Sequence, residues 1–138
     1  SSYRKTILDW HEQSWLKKTM KKLGSQDFTI ILTSDHGSLE VQKPAIVSAD
    51  KLSSDGIRHK FGRNINLDKK YALDIRDLGE YRLPSLDHQC NYLIAKNNFF
   101  FVYPNEKNKY AFKLNNSFQS GGISMQEMFV PIYIMNLK

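Results

Sequence analysis

The chain has 138 residues, of which 41% are hydrophobic and 25% are charged, and its formal net charge is +6. This length allows one domain with a modest core, and the composition excludes a disordered chain. The single cysteine, Cys90, excludes an internal disulfide and is typical of a reducing cytoplasm. No signal peptide and no apolar run long enough to cross a bilayer is present, so we predict a cytoplasmic protein without membrane contact.

The N-terminal part, residues 1–24, predicts two helices rather than one. The apolar stripe of residues 3–10 does not continue into that of residues 16–23, so the helix must break between them. Ser14 is the expected N-cap of the second helix, and Gly24 is expected to end it.

Residues 27–34 are β-branched and apolar without polar alternation, which predicts a strand buried on both faces of an α/β sheet. Asp35 and His36 follow this strand. Neighbouring strand residues point to opposite faces, so this pair converges on one metal ion only if the chain turns at Gly37. Taken alone, the pattern is more typical of a loop in which the aspartate caps an amide and the histidine is solvated.

The middle of the chain predicts short strands separated by long loops. Residues 43–70 are mostly polar and predict an irregular segment with one or two short strands, and residues 71–76 predict another strand. The clearest predicted hairpin pairs residues 91–96 with residues 99–103 across Asn97 and Asn98, since asparagine tolerates the positive φ angles of tight turns.

Three elements are predicted towards the C-terminus. Residues 110–114 are expected to add a strand to the hairpin. Ser124 and Glu127 have the spacing of a capping box and predict the start of a short helix. Residues 129–135 predict a final strand, in which Pro131 favours an edge or a bulge.

A cluster of cations, Arg58, Lys60 and Arg63, is the strongest candidate for phosphate binding. Lys60 and Arg63 are the candidate residues, because a guanidinium can bind phosphate through two parallel hydrogen bonds. An equally good interpretation has Arg63 pairing with a carboxylate such as Asp68 or Asp74. The net charge of +6 also suits an acidic partner, either a phosphate ester or a nucleic acid.

The remaining aromatic and histidine residues favour structural roles. Phe99, Phe100, Phe101 and Phe112 are predicted in the core rather than as platforms for stacking bases. His59 and His88 are isolated in the sequence and are interpreted as polar loop residues.

Five short motifs occur in the order and register of a known family. They are Thr-Ser-Asp-His-Gly at 33–37, Gly-Arg-Asn at 62–64, Leu-Pro-Ser at 83–85, Tyr-Pro-Asn at 103–105 and Gly-Gly at 121–122. From about residue 15 to residue 134 the chain resembles the C-terminal half of a PglZ domain, a branch of the alkaline phosphatase superfamily. The resemblance is greatest to the effector domain of PorX-type response regulators, which are linked to type IX secretion.

The resemblance implies a zinc-dependent phosphohydrolase. In the superfamily an Asp-His pair supplies ligands to one of two zinc ions, a role that falls on Asp35 and His36. The second zinc takes a histidine immediately before the Gly-Gly pair, where this chain has Ser120, and a neutral hydroxyl is a poorer zinc ligand than an imidazole. At most one zinc site is therefore partly encoded here.

The catalytic nucleophile that the family implies is a threonine or serine, whose attack on phosphate is assisted by zinc. The nucleophile, a metal-binding aspartate and an Asp-x-x-x-His pair are all expected before the region that resembles this chain. We therefore predict that the isolated chain is inactive. The chain is interpreted as one partial domain, residues 1–138, with helices in residues 1–24 and the sheet in residues 27–138.

The predicted fold class is α/β, the C-terminal part of an alkaline-phosphatase-like domain with a central mixed sheet flanked by helices. Predicted substrates are phosphate esters or diesters, oligonucleotides among them. The resemblance further implies an upstream receiver domain for two-component signalling, and it leaves a homodimer open. Two alternatives stay open: a degenerate signalling or dimerisation module, favoured by Ser120, and a nucleic-acid-binding module, favoured only by charge.

Overall fold

The computed structural model describes residues 2–49 and 53–136, apart from the side chains of Glu106 and Lys109. It divides the chain into two compact units, residues 1–35 with 131–138 and residues 36–130. In chain order the elements are α1 (Ser2–Gln13), α2 (Trp15–Gly24), β1 (Thr29–Thr33), β2 (Leu39–Val41), β3 (Lys43–Ile46), β4 (His59–Arg63), β5 (Ala72–Ile75), β6 (Cys90–Ala95), β7 (Phe99–Val102), a 3₁₀ turn (Pro104–Glu106), α3 (Lys107–Leu114), β8 (Ser117–Gln119), α4 (Met125–Met128) and β9 (Ile132–Asn136).

The helices of the first unit are as predicted. Ser14 separates α1 from α2, and its hydroxyl accepts a hydrogen bond from the backbone N–H of Lys17 at 3.4 Å. This N-cap satisfies one of the N–H groups that the first turn of a helix leaves without a partner. Gly24 is the last residue of α2, which confirms the predicted end of this helix.

The sheet of the first unit consists of β1 and β9, paired antiparallel from Thr29 opposite Asn136 to Thr33 opposite Ile132. Both strands are largely exposed: 64% of Ile31 and 65% of Ile134 are accessible. The prediction that residues 27–34 are buried on both faces is therefore wrong for this chain. Apolar composition favours burial, but burial needs covering layers, and among the described strands only β9 pairs with β1.

The second unit contains three small sheets and most of the core. Strands β4, β6 and β5 form an antiparallel sheet with β6 in the centre, β3 pairs parallel with β7, and β2 pairs antiparallel with β8. The largest core cluster unites residues from four strands and two loops: Ala45, Val47, Ile65, Ala72, Leu93, Ala95 and Phe101. A second cluster joins Val41, Phe100, Val102 and Leu114. These clusters hold the loops described below in place.

The predicted hairpin between residues 91–96 and 99–103 is wrong, although the turn itself is present. Asn97 has φ = 46°, as expected for a tight turn. However, β6 pairs with β4 on one edge and with β5 on the other, so neither edge remains for β7. Strand β7 instead joins β3. The turn preference of Asn97 thus correctly predicted that the chain reverses direction there, whereas packing between distant segments determined which strands pair.

The predicted strand at residues 110–114 is also wrong, because this segment is helix α3. Tyr110 and Leu114 are four residues apart, a spacing that places both on one face of a helix, and Leu114 is buried. Phe112 points away from that face and is 90% exposed, so its predicted place in the core is wrong. Phe100 and Phe101 are buried as predicted.

The other predicted elements are confirmed within a few residues. Residues 43–70 contain β3 and β4 between loops, residues 71–76 contain β5, and residues 129–135 overlap β9, which begins just after Pro131. The α/β class is confirmed, with the strands arranged in sheets of two or three. None of the helices that the structure describes is both long enough and apolar enough to cross a membrane.

Candidate active site

The segment that contains the Gly-Gly motif is organised by a buried ion pair between Arg58 and Glu127. The Nε of Arg58 donates to Oε1 of Glu127 at 2.9 Å, and its Nη2 donates to Oε2 at 2.7 Å. Both side chains are almost completely inaccessible. Such a bidentate geometry fixes the orientation of both groups, so Glu127 becomes a rigid anchor for the residues around it.

Glu127 also completes the predicted capping box of α4. Its carboxylate accepts hydrogen bonds from the backbone N–H groups of Gly122 and Ser124 and from the hydroxyl of Ser124. Burial raises the pKa of the Glu127 carboxyl, but the hydrogen bonds from Arg58, Ser124 and Gly122 outweigh burial and lower this pKa to about 2. The carboxylate is therefore ionised at neutral pH.

The two glycines of the motif are explained by this anchor. Gly121 has φ = 101°, a conformation that other residues rarely adopt. A Cβ on Gly122 would lie 2.6 Å from Oε2 of Glu127 and 2.8 Å from Nη2 of Arg58. A larger residue at position 122 would therefore displace the ion pair.

Gly37 brings the Asp-His-Gly motif against the same helix. Its N–H donates to the backbone carbonyl of Glu127 at 3.0 Å, and a Cβ at this position would lie 1.9 Å from the carbonyl oxygen of Gln126. A glycine is required here because the backbone of α4 approaches so closely. Gly37 and Gly122, distant in sequence, are thus joined through Glu127.

His36 is oriented by the residue that follows it. Its Nδ1 lies 2.8 Å from the carbonyl oxygen of Gly37. A carbonyl oxygen can only accept a hydrogen bond, so Nδ1 is the donor in this contact. Histidines that bind metals commonly donate their other ring N–H to a carbonyl in this way. The Nδ1 contact of His36 is therefore of the kind that metal-binding histidines make.

Asp35 is an exposed residue at the end of the first unit, whereas His36 begins the second. A structural zinc site normally has four ligands and a catalytic site three protein ligands. Within residues 2–49 and 53–136, no group of three or more histidine, cysteine, aspartate or glutamate residues is arranged to hold a metal. The described residues therefore do not complete a metal site around Asp35 or around His36.

Ser120, where the resemblance implies a zinc-binding histidine, lies directly after β8. Strands β8 and β2 are antiparallel, and Gln119, the last residue of β8, lies opposite Leu39, the first residue of β2. Ser120 therefore follows β8 at the same end of this sheet at which the segment from His36 enters β2. Ser120 is half-buried. The fold thus brings the Ser120 segment to the segment of His36, although the side chain is a hydroxyl.

His59 was interpreted from the sequence as an isolated loop residue, yet it lies beside the Gly-Gly motif. A Cβ on Gly121 would be 2.8 Å from Nδ1 of His59. Arg58 and Glu127 were likewise not singled out as partners. The capping-box spacing was the only sequence signal for Glu127, and no local pattern indicates a pair separated by 69 residues.

Lys60 and Arg63, the candidate phosphate-binding residues, lie on opposite faces of β4, because they are three positions apart and the side chains of a strand alternate between its faces. They cannot contact one phosphate from the same face. The Nε of Arg63 donates to Asp87, rather than to Asp68 or Asp74. Arg63 also lines a polar cavity of about 400 Å³ with Asn64, Gln89, Ser48 and Ala49.

Lys60 is buried, with 2% of its surface accessible. Its ammonium donates to the carbonyl of Ser54 at 3.0 Å and to the hydroxyl of Tyr103 at 3.2 Å. Tyr103 belongs to the Tyr-Pro-Asn motif, and its hydroxyl also bonds to the hydroxyl of Ser53 at 2.8 Å. The motif at residues 103–105 therefore positions Lys60.

Comparison with known proteins agrees with this arrangement of motifs. The model of the BREX system PglZ alkaline phosphatase-like domain matches residues 3–135. A search among curated proteins found no match to the chain. Because the family model covers nearly all of the sequence, the chain belongs to the PglZ family of alkaline phosphatase-like domains.

Proposed function

We propose that this chain is part of a metal-dependent phosphohydrolase domain that acts on phosphate esters or diesters. Membership of an alkaline phosphatase-like family supports the reaction class. The observation that carries the proposal is the hydrogen bond between Nδ1 of His36 and the carbonyl of Gly37, because histidines that bind metals commonly donate their other ring N–H to a carbonyl in this way.

Asp35 and His36 are proposed as ligands of one zinc ion. Zinc suits this pair because it accepts carboxylate oxygen and imidazole nitrogen. Two ligands do not complete a site, so the remaining ligands and the nucleophile would come from residues that this sequence does not include. We assign no catalytic step to the metal here.

Arg63 is proposed to contact the phosphate of the substrate. Among the hydrogen bonds of the described residues, Arg63 uses only its Nε, on Asp87. Its two terminal nitrogens can therefore donate to an anion in the polar cavity beside Asn64 and Gln89. Oligonucleotides are included in the proposed substrate class because they are phosphodiesters.

The biological setting is proposed from the resemblance of the five motifs alone. On this proposal residues 1–138 form the C-terminal half of a PglZ domain in a cytoplasmic PorX-like response regulator. An upstream receiver domain would control the phosphohydrolase, in a pathway linked to type IX secretion, and the protein would act as a homodimer.

A second candidate is a degenerate signalling or dimerisation module that keeps the fold without catalysis. Ser120 favours this candidate, because the fold brings its segment to that of His36 but supplies a hydroxyl instead of an imidazole. Binding of nucleic acid as the sole function has only the net charge of +6 in its favour. Phe100 and Phe101 are buried and cannot stack on bases.

The test uses the longest native chain that contains this segment, in wild-type form and with Asp35→Asn, His36→Ala or His88→Ala. His88 is an exposed histidine and serves as the matched control. Zinc content is measured by mass spectrometry, and hydrolysis is measured with bis(p-nitrophenyl) phosphate. We expect Asp35→Asn and His36→Ala to lower activity by at least about 100-fold, since even the partners of metal ligands contribute about 10–100-fold.

His88→Ala should retain wild-type zinc content and activity. If the wild-type chain binds zinc but hydrolyses neither monoesters nor diesters, the non-catalytic module is the better proposal. Equal activity in all four proteins would contradict the assigned roles of Asp35 and His36.

A further inference from the structure

Lys60 is a buried cation for which the described part of the chain supplies no carboxylate partner. Lysine is almost never fully buried unless it is paired, because removing an ammonium from water is costly. Arg58, two residues earlier and equally buried, has Glu127 as its partner. No carboxylate of the described residues forms an ion pair with Lys60, so its charge has no such compensation.

The polar contacts of Lys60 compensate its charge only in part. Its ammonium has three N–H donors, and among the described residues it donates to the carbonyl of Ser54 and to the hydroxyl of Tyr103. The ammonium also lies 4.4 Å from the centre of the Tyr103 ring, a favourable cation–π distance. Among the described residues one N–H has no acceptor, and all the acceptors are neutral.

Lys60 lines a cavity of about 550 Å³ in the second unit. This volume lies within the usual range for small-molecule sites. Phe101, Val102 and Leu114 supply apolar walls, and Lys113 supplies a second cation. Asp55 is the single acidic residue of the lining, so the two lysines leave an excess of positive charge.

We propose that this cavity binds a small organic anion, with its phosphate or carboxylate head on Lys60 and its apolar body against Phe101 and Leu114. The anionic head of the ligand would accept a hydrogen bond from the remaining N–H of Lys60 and would neutralise the buried charge of its ammonium. The apolar body would itself leave water and pack against these apolar walls. This inference does not depend on the proposed phosphohydrolase activity, since it uses neither Asp35 nor His36.

The test measures binding of phenyl phosphate, benzoate, inorganic phosphate and benzyl alcohol to the full chain by calorimetry. Phenyl phosphate and benzoate share an apolar ring but differ in the anionic head. We expect at least one of them to bind more tightly than both inorganic phosphate, which lacks the ring, and benzyl alcohol, which lacks the charge. Whichever of phenyl phosphate and benzoate binds more tightly shows whether the cavity prefers a phosphate or a carboxylate head.

Lys60→Met keeps much of the apolar stem and removes the charge. We expect it to weaken binding of the better anion by at least about tenfold, because a hydrogen bond to a charged group is lost. Lys70→Met is the matched control: Lys70 is exposed and also lies over a tyrosine ring, at 4.6 Å from the centre of Tyr71, but outside the cavity. This control should bind like the wild type.

A second measurement keeps the test valid if Lys60→Met does not fold. In the wild-type chain, amide chemical shifts of Phe101, Tyr103 and Leu114 should change with added anion, whereas that of Lys70 should not. Lys113→Met should weaken binding without preventing folding. No binding of either anion at millimolar concentration, equal binding of benzyl alcohol, or shift changes away from these residues would overturn the proposal.

Discussion

Arg58 and Glu127 form a doubly hydrogen-bonded, buried ion pair that connects the start of β4 with α4. The Nη1 of Arg58 also donates to the carbonyls of Asn97 and Phe99, so one guanidinium joins the turn before β7 to the Gly-Gly segment. The backbone of Glu127 in turn accepts the N–H of Gly37. The position of Gly37 within the second unit therefore depends on this pair.

Arg58→Met should destabilise the chain by about 3–5 kcal/mol, because it leaves a buried carboxylate without its cation. Arg76→Met is the matched control. Arg76 is 60% exposed, and its partner Asp74 also accepts a hydrogen bond from Asn91, so the loss of Arg76 should cost only about 1 kcal/mol. The free energy of unfolding is measured by urea titration monitored by circular dichroism. Equal losses in the two variants would show that the buried pair is not an anchor.

The lowered pKa of Glu127 predicts a specific acid sensitivity. Its pKa is about 2 in the folded chain, compared with an ordinary value of 4.5. Folding therefore favours the ionised form, and this contribution is fully present above pH 4.5 and is lost as the pH falls towards 2. Unfolding in this window takes up one proton at this site, which corresponds to a slope of about 1.4 kcal/mol per pH unit.

Glu127→Gln removes the titrating group, so its stability should depend less on pH between 4.5 and 2 than that of the wild type. The wild type and the variant are compared by urea titrations across this range. The variant should be less stable at pH 7, and the difference should shrink in acid. A difference that stays constant with pH would contradict the assignment to Glu127.

Gly37→Ala tests the close approach between the Asp-His-Gly motif and α4. The added Cβ would lie 1.9 Å from a backbone carbonyl oxygen, which cannot move as a flexible side chain can. We expect destabilisation of about 1–3 kcal/mol, as for other overpacked sites. Gly79→Ala is the control, since its Cβ would meet only Asp77, at 3.5 Å. That variant should be neutral or slightly stabilised.

Features encoded by neighbouring residues could be predicted from the sequence. The N-cap at Ser14 and the capping box of Ser124 and Glu127 were both correct, because each depends on residues within one helical turn. The positive φ of Asn97 was predicted for the same reason. The family motifs indicated which glycines matter, and the structure supplies the physical reason for Gly37 and Gly122.

Features that depend on distant residues could not be predicted. The partner of β7 and the place of Glu127 beside Arg58 depend on which surfaces pack together. The exposure of β1 has the same origin: its composition suits a covered strand, but Ile31 is accessible here. Composition specifies which environment a strand favours, whereas the rest of the fold determines whether that environment exists.

Zinc binding by the 138-residue chain alone should be weak. Asp35 and His36 are two ligand candidates, and at least three protein ligands are usual. Calorimetric titration with zinc should give no tight stoichiometric isotherm. His36→Ala should leave the result unchanged within error. A tight isotherm that His36→Ala abolishes would instead indicate that two copies of the chain share a site, which the stoichiometry would reveal.

Ser120→His should restore the ligand that the family places before the Gly-Gly pair. The change is made in the longest native chain that contains this segment, so that other ligands can take part. Ser120 follows β8 at the end of the sheet where β2 begins, and His36 lies three residues before β2. An imidazole adds a neutral metal-binding nitrogen without burying a new charge. We expect the zinc content to rise towards two ions per chain.

Hydrolysis of bis(p-nitrophenyl) phosphate should increase together with the zinc content, since a second metal can stabilise the leaving oxygen. Ser117→His, three residues earlier on β8, is the control and should change neither quantity. If Ser120→His leaves both unchanged, the segment does not hold a second metal. Measuring dimerisation of Asp35→Ala then separates the remaining cases: a binding module should still dimerise when this ligand is lost.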